Sequence, residues 1–279
     1  MGYNLITNIE SCHIQLPSLL YYSHWPAIVV SLFFGIFVFF KSGKSLLGKI
    51  LLAISLVFSI WGLFSLITWT GFDSRVISFV WSFFEILSVL FFFLVLYFVY
   101  VFIEKRDVSI KIKIIFLILF LPVILISSTK KYLTGFDIVN CEAIENNNFL
   151  HYIYILKALA FFGTLVLLIF EYFVKFKNDK LEKSKIFLIG IGALLLLLSF
   201  LLTQYSANLI FSNYQIEFYG LFAITIFMGF LAYLIVKYKA FNIKLLGAQA
   251  LVAVLVILIG SEFFFTPITD TTNIVLISV

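Results

Sequence analysis

Charged residues are scarce in this chain. Asp, Glu, Lys and Arg make up only 12% of its 279 residues, whereas 63% are hydrophobic. A soluble domain is about half apolar and about a quarter charged, and its core could not bury so much apolar side chain. This composition excludes an ordinary soluble protein and indicates that lipid covers much of the surface.

Catalytic motifs are absent from the sequence as well. It contains no HExxH metal motif, no GxSxG nucleophile elbow, no Walker loop and no glycine-rich nucleotide loop. The connections between apolar runs are also too short to hold a soluble catalytic domain. We therefore expect no catalytic residue, no metal site, no cofactor and no enzymatic activity in this chain.

Long apolar runs fill the chain instead. Each is about twenty residues long, which lets an α-helix cross ~30 Å of hydrocarbon at ~1.5 Å per residue. The runs lack the alternation of a porin-type strand, and helices satisfy their own backbone hydrogen bonds in lipid. The sequence therefore predicts an all-α, polytopic transmembrane bundle of about eight spans. The predicted spans are 25–41, 50–71, 76–103, 114–129, 151–174, 186–206, 218–237 and 245–265.

The positive charges predict the orientation of these spans. Fifteen of the nineteen Lys and Arg residues fall in one alternate set of loops, whereas Arg75, Lys130 and Lys131 fall in the other and Lys157 lies inside a span. Cytoplasmic loops carry such an excess, so the Lys-rich loops are predicted inside and the N-terminus outside. The net charge of +5 is thus a topology signal, and no nucleic-acid partner is expected.

Three regions follow from this pattern. Residues 1–24 are predicted to form an extracytoplasmic arm, and residues 25–240 a region of seven spans. Residues 241–279 would hold the eighth span, a polar outer turn and the start of a ninth span at Ile274 to Val279. A completed ninth span would place whatever follows it in the cytoplasm.

Four residues form two candidate pairs. Glu85 and Lys157 lie at similar depths in the third and fifth spans, and a lone charge in lipid is costly, so the two side chains are expected to pair. The pair is either a polar switch or ligand contact, or a structural clamp between helices. Cys12 and Cys141 both fall outside by this topology. They are either bridged, since disulfides persist outside the cytosol, or two unpaired thiols.

The remaining polar groups on the outer side carry a weaker signal. His13, His24 and His151 could form a metal or pH sensor, but they lack tight ligand spacing, which favours scattered surface histidines. Gln204 and Glu217 lie on the same side.

Several stretches resemble the N-terminal seven-transmembrane sensor region of bacterial histidine kinases. They are Gln15 to His24, Leu133 to Asp137 leading into Asn140 to Glu145, Tyr219 to Phe222, and most strongly Ala232 to Leu251. The resemblance covers nearly the whole chain. It implies a sensory input module in the bacterial cytoplasmic membrane whose kinase core, with its phospho-accepting His and ATP-binding domain, is absent from this sequence.

The resemblance also implies a route and partners for a signal. An unknown outer or intramembrane stimulus would shift helix packing and reach a cytoplasmic effector, with the lipid bilayer and a second copy, joined through a C-terminal part, as partners. The main alternative is a small-molecule transporter or channel subunit, which would need polar or broken spans along a path. The expected signal-relay connector comprises Lys237, Lys239, Phe241, Lys244 and Gln249.

Overall fold

Seven helices long and apolar enough to cross a membrane form the described part of the protein. The computed structural model describes residues 16–238 apart from 18, 72, 177, 178 and 212. The chain is therefore an integral multi-pass membrane protein and an all-α helical bundle. Among the described residues there are seven such helices, and they match the first seven of the eight predicted spans. The predicted eighth span, 245–265, and the start of the ninth lie outside the described residues.

The helices differ from the predicted spans mainly at their ends. The first begins at Leu19 rather than at residue 25, so Pro26 lies inside it. Pro122 likewise lies inside the fifth helix, which is assigned as one continuous element. The described α-helices are α1 (Leu19–Lys41), α2 (Leu46–Thr70), α3 (Ser74–Trp81), α4 (Phe84–Glu104), α5 (Ile110–Ser127), α6 (Asn147–Phe170), α7 (Lys180–Tyr205) and α8 (Glu217–Tyr238). Two of them, α3 and α4, together form the third of the seven spans.

Six of these helices close into a ring. Going around it, α1 packs on α2, α2 on α4, α4 on α6, α6 on α7, α7 on α8, and α8 on α1. Aromatic side chains fill the centre: the ring of Phe91 on α4 packs at a tilt against Phe58 of α2 and Phe200 of α7, at centroid distances of 6.0 and 5.3 Å. The ring encloses an apolar core and leaves α5 outside it.

α5 lies at the edge of the bundle and packs mainly on α4. Only Val123 and Ser127 of its residues are buried. An apolar helix whose surface is so little covered by the other helices is stable in hydrocarbon, where it needs no polar face.

The third predicted span is a broken helix. A turn at Ser82 and Phe83 separates α3 from α4. The Ser82 hydroxyl donates to the Phe79 carbonyl at 2.7 Å, which satisfies a backbone acceptor at the break. The break turns Trp81 towards a loop that contains the two strands of the structure.

Those strands are β1 (Leu133–Asp137) and β2 (Glu142–Glu145), which pair antiparallel between α5 and α6. At the tip, Asp137 Oδ1 accepts the Val139 N–H at 2.9 Å, and Cys141 adopts a left-handed φ of 56° that reverses the chain. We call the end of the bundle that carries this hairpin the hairpin end. The opposite end, with Lys41, Lys105, Lys180 and Lys237, is the lysine end.

Candidate ligand cavity at the hairpin end

A buried ion pair forms the floor of a cavity at the hairpin end. Lys157 of α6 has no exposed side-chain surface, and its Nζ lies 2.6 Å from Glu85 Oε2 on α4. The ammonium also donates to Gln204 Oε1 on α7 at 2.9 Å. The structure thus brings together the two charges that the sequence places at similar depth. A third helix contributes to the pair.

Other polar side chains extend this buried network behind the cavity. Ser88, one turn below Glu85, donates to the same Gln204 oxygen at 3.0 Å. The ring of Tyr154 lies 4.9 Å from Lys157 Nζ, close enough for a cation–π contact, and its hydroxyl accepts from Asn208 at 2.7 Å. Because each partner comes from a different helix, the network locks α4, α6 and α7 together.

A π-helical segment positions Asn208. After Tyr205 the chain continues as a π-helix, Ser206–Phe211. Such wide turns occur often at functional sites because they shift the direction of the side chains that follow. Here the widened turn places Asn208 both against Tyr154 and along the cavity wall.

The hairpin covers the cavity and is anchored through Glu145. Its Oε1 accepts a hydrogen bond from Trp81 Nε1 at 2.7 Å and another from the hydroxyl of Tyr132, which is fully buried. Cys141 and Ala143, which belong to the hairpin, pack against Ile77 and Trp81 of α3. The break between α3 and α4 therefore serves the cavity, because it brings Trp81 under the hairpin.

The cavity has a volume of about 40 Å³. A single water needs roughly 10–15 Å³ on this measure, so the space suits a few waters or one small molecule. Its walls are largely aromatic, and the four charged residues in its lining are all acidic. The lining residues are Trp61, Ser65, Thr68, Trp69, Trp81, Phe84, Glu85, Asn140, Cys141, Glu142, Glu145, Gln204, Asn208, Tyr214 and Glu217.

Two of the lining carboxyls titrate near neutral pH. Burial, helped by the negative charge of Glu85, raises the pKa of Glu145 to about 7. Burial and the neighbouring Asp137 carboxylate raise the pKa of Glu142 to about 7 as well. The charge of the hairpin therefore changes near pH 7.

A second set of ion pairs joins the same helices at the lysine end. Lys175 contacts both Glu104 of α4 and Glu171, which begins the π-helical turn that follows α6. Lys105 reaches Glu182 of α7 at 3.4 Å. The sequence suggests an ordinary helix pair for Glu171 and Lys175. In the structure that pair, at 3.4 Å, is part of a cluster that includes α4.

The other predicted site residues are only partly described. Cys141 is buried, but Cys12 lies outside the described residues, so the disulfide stays a prediction. Lys237 is exposed near the end of α8 and donates to the Tyr233 hydroxyl at 2.6 Å. Lys239, Phe241, Lys244 and Gln249, the rest of the predicted connector, lie outside the described residues.

The histidines are not all surface residues. His24 is fully buried in α1, where its Nε2 lies 2.9 Å from Ser65 Oγ and its ring packs edge-on against Phe218. His151 is exposed, and His13 lies outside the described residues. Within the part of the chain that the structure describes, no three His, Cys, Asp or Glu side chains are placed to hold a metal.

Sequence reasoning did not find the hairpin or its anchors. Trp81 and Glu145 are 64 residues apart, and no local pattern links them. One signal was present: Glu142 and Glu145 lie close together in a loop that also holds Gly135 and Asp137.

Comparison with known proteins identifies no relative. No family model matches the chain, and neither curated proteins nor solved structures give a match. The resemblance to sensor regions therefore stays a prediction.

Proposed function

We propose that this protein is a membrane sensor module that receives a stimulus in the hairpin-end cavity and relays it to a cytoplasmic effector. One observation carries the proposal. The cavity floor, Glu85–Lys157–Gln204, joins three helices whose opposite ends are joined again by ion pairs at the lysine end. A change at the floor can therefore alter the packing of the same helices at the far end.

The helices are suitable relay elements. α4 carries Glu85 near one end and Glu104 at the other, and α7 carries Gln204 and Glu182 in the same arrangement. α8 begins at Glu217 on the cavity wall and runs 22 residues towards the predicted connector, a length of about 33 Å at 1.5 Å per residue. The positive-inside pattern predicts that this direction runs from outside to cytoplasm.

The apolar core favours a sensor over the alternative, a transporter or channel subunit. Between the Glu85–Lys157 pair and the lysine-end ion pairs, α4 and α6 carry no charged residue. This part of the core is filled by side chains such as Val95, Phe98 and Leu168. A conduction path would need polar groups along it. The polar floor, which lies inside the membrane-spanning part of the chain, is the one feature that favours a transporter among the described residues.

The proposal also covers the cytoplasmic effector that the sensor module would control. The resemblance of Ala232 to Leu251 to kinase sensor regions suggests a histidine kinase core downstream, in a bacterial cytoplasmic membrane. The expected protein partner is a second copy of the chain, joined to the first as a dimer through that C-terminal part. By itself the chain is proposed to have no enzymatic activity.

Distance measurements at the lysine end test the relay. The full chain, with Cys12 and Cys141 changed to Ser, carries spin labels at Lys41→Cys and Lys180→Cys, which are exposed positions on α1 and α7. A pH change from 8 to 5.5 protonates the hairpin carboxyls, and we expect the interlabel distance measured in nanodiscs to move by about 1–2 Å.

The control is the same labelled chain with Glu142→Gln and Glu145→Gln, which should not respond because its hairpin carboxyls no longer titrate. An unchanged distance in the parent, or an equal shift in the control, would contradict the relay. Proteoliposomes that take up a solute under the same conditions would support the transporter instead.

A further inference from the structure

The charge of the cavity is unbalanced. Of its four lining carboxylates, only Glu85 forms a salt bridge with a cation among the described residues, and that cation is Lys157. Glu142, Glu145 and Glu217 have no such partner within residues 16–238 as described. A cavity with surplus negative charge attracts a cation and repels an anion.

One carboxylate has a free acceptor. Glu145 Oε1 receives the Trp81 and Tyr132 donors, whereas its Oε2 is buried and accepts no hydrogen bond from the described residues. The Oδ1 of Asn208, also on the cavity wall, is likewise buried and accepts no hydrogen bond from the described residues. Buried acceptors of this kind are costly unless a donor reaches them. An N–H or O–H donor entering the cavity would satisfy them.

The aromatic walls specify the kind of cation. Trp81 stands nearly perpendicular to Phe84 and to Tyr214, at interplanar angles of 86° and 88°, and Trp61 stands at 62° to Phe84. These rings pack edge against face on one another, with centroids 5.1–5.8 Å apart, and all four line the cavity. Aromatic faces attract organic ammonium groups, which lose less hydration on entering such a site than small metal ions do.

A metal ion fits these observations less well. The described carboxylates are not grouped to ligate one, as noted above. The volume of about 40 Å³ suits a small amine rather than a bulky ligand.

From these observations we infer that the cavity binds a small organic cation with an ammonium group, held between the Glu145 and Glu217 carboxylates and the Trp81 and Tyr214 rings. The inference rests on the proposed function in one respect: the bound amine would be the stimulus that the sensor receives. The binding itself does not depend on the relay.

The charge around the cavity is nearly balanced, so the negative charge of the hairpin end comes from the cavity carboxylates. The described residues at the hairpin end, outside the cavity, carry the acids Asp73 and Asp137 and the cations Arg75, Lys130 and Lys131, and Asp73 and Arg75 pair with each other at 3.2 Å. The N-terminal arm, residues 1–24, has no Lys or Arg. Once the cavity carboxylates are included, the hairpin end has an excess of negative charge.

Tryptophan fluorescence can report the binding directly. Of the four tryptophans, Trp61, Trp69 and Trp81 line the cavity and Trp25 does not. The experiment titrates methylammonium chloride into the full chain in nanodiscs at pH 8, with sodium chloride at matched ionic strength and methanol as neutral counterpart. We expect a saturable change with methylammonium alone.

Matched variants locate the site. Glu145→Gln keeps the acceptor for Trp81 and Tyr132 but removes the charge, and we expect it to weaken binding about tenfold. Trp81→Phe should weaken it by a few-fold, up to about thirtyfold. Asp107→Asn, which removes one negative charge from an exposed pair at the lysine end, and Trp25→Phe, whose ring is exposed on α1, should bind like the parent.

Several results would overturn the inference: no saturable change with methylammonium, an equal effect of sodium or methanol, or unchanged affinity in Glu145→Gln. If Glu145→Gln does not fold, the pH dependence of binding to the parent protein tests the inference instead. Its affinity for methylammonium, which stays charged throughout, should rise between pH 5.5 and 8 as the hairpin carboxyls ionise, and a flat profile would contradict the site.

The failures of the two proposals are distinguishable. Absent binding together with a pH-driven shift in the lysine-end distance rejects the amine and keeps the sensor. Saturable binding with no shift at any pH rejects the relay and keeps the site.

Discussion

Lys157→Met is expected to destabilise the protein strongly, because it removes one member of a buried ion pair. The substitution keeps most of the side-chain volume but leaves Glu85 without its cation, 2.6 Å away in the native protein, and leaves Gln204 with only the Ser88 donor. Removing one member of a buried ion pair typically costs about 3–5 kcal/mol because the other charge stays buried. Titration with sodium dodecyl sulfate in mixed micelles would measure the loss in unfolding free energy.

The matched control is Lys113→Met. Lys113 and Asp107 also approach to 2.6 Å, but their side chains are 41% and 48% exposed. Solvent screens such a pair, so the control should unfold at the same detergent fraction as the parent. Equal losses in the two variants would show that the Glu85–Lys157 pair has no special role.

The double variant Glu85→Leu/Lys157→Met separates pairing from size. Apolar side chains can replace a buried ion pair without loss, and here Ser88 would still donate to Gln204. We expect the double variant to recover more than half of the stability that Lys157→Met loses. Additive losses would contradict the account of the pair, because they would mean that each charge contributes independently.

Stability is expected to fall as pH rises from about 5 to 8. In the folded protein the pKa of Glu142 and that of Glu145 are raised to about 7, above the ordinary value of 4.5. Between pH 4.5 and 7 the folded state therefore holds protons that the unfolded state releases. The stability from these groups is complete below pH 4.5 and is lost as pH passes through 7.

The size of this effect is on the order of 2 kcal/mol for the two groups together, since each pKa unit corresponds to about 1.4 kcal/mol and partial exposure reduces it. Thermal unfolding in detergent at pH 5 and 8 would measure it as a shift of several degrees in Tm. Glu145→Gln should raise Tm at pH 8 and reduce the dependence on pH.

Asp73→Asn provides the control for pH. The Arg75 side chain lowers the pKa of Asp73, so this exposed carboxyl stays ionised across the whole range. The variant should keep the pH dependence of the parent. If Glu145→Gln also kept it, the hairpin carboxyls would not be its source.

The positions of the helices could be predicted because hydropathy is a local property. The seven described helices overlap the first seven predicted spans, and the depth of Glu85 and Lys157 in their spans was enough to suggest that they meet. An isolated charge is so costly in lipid that a single opposite charge at equal depth is a strong candidate partner.

The cavity could not be predicted in the same way. Its cover depends on the contact of Trp81 with Glu145 and on the break at Ser82, which has neither Pro nor Gly to mark it. The start of α1 at Leu19 was missed for a related reason: His24 is polar, and the partner of its buried Nε2 is Ser65 on α2, 41 residues away. Both features depend on tertiary partners that a local window does not contain.

The proposed orientation, with the hairpin end outside the cell and the lysine end in the cytoplasm, is the central claim, and cysteine labelling tests it most directly. In a chain with Cys12→Ser and Cys141→Ser, one variant carries Val139→Cys at the hairpin tip, where the residue is 84% exposed, and another carries Arg106→Cys, whose side chain is 71% exposed at the lysine end. A membrane-impermeant maleimide should label Val139→Cys in intact cells and Arg106→Cys only after permeabilisation. The reverse pattern would place the hairpin in the cytoplasm and contradict the account.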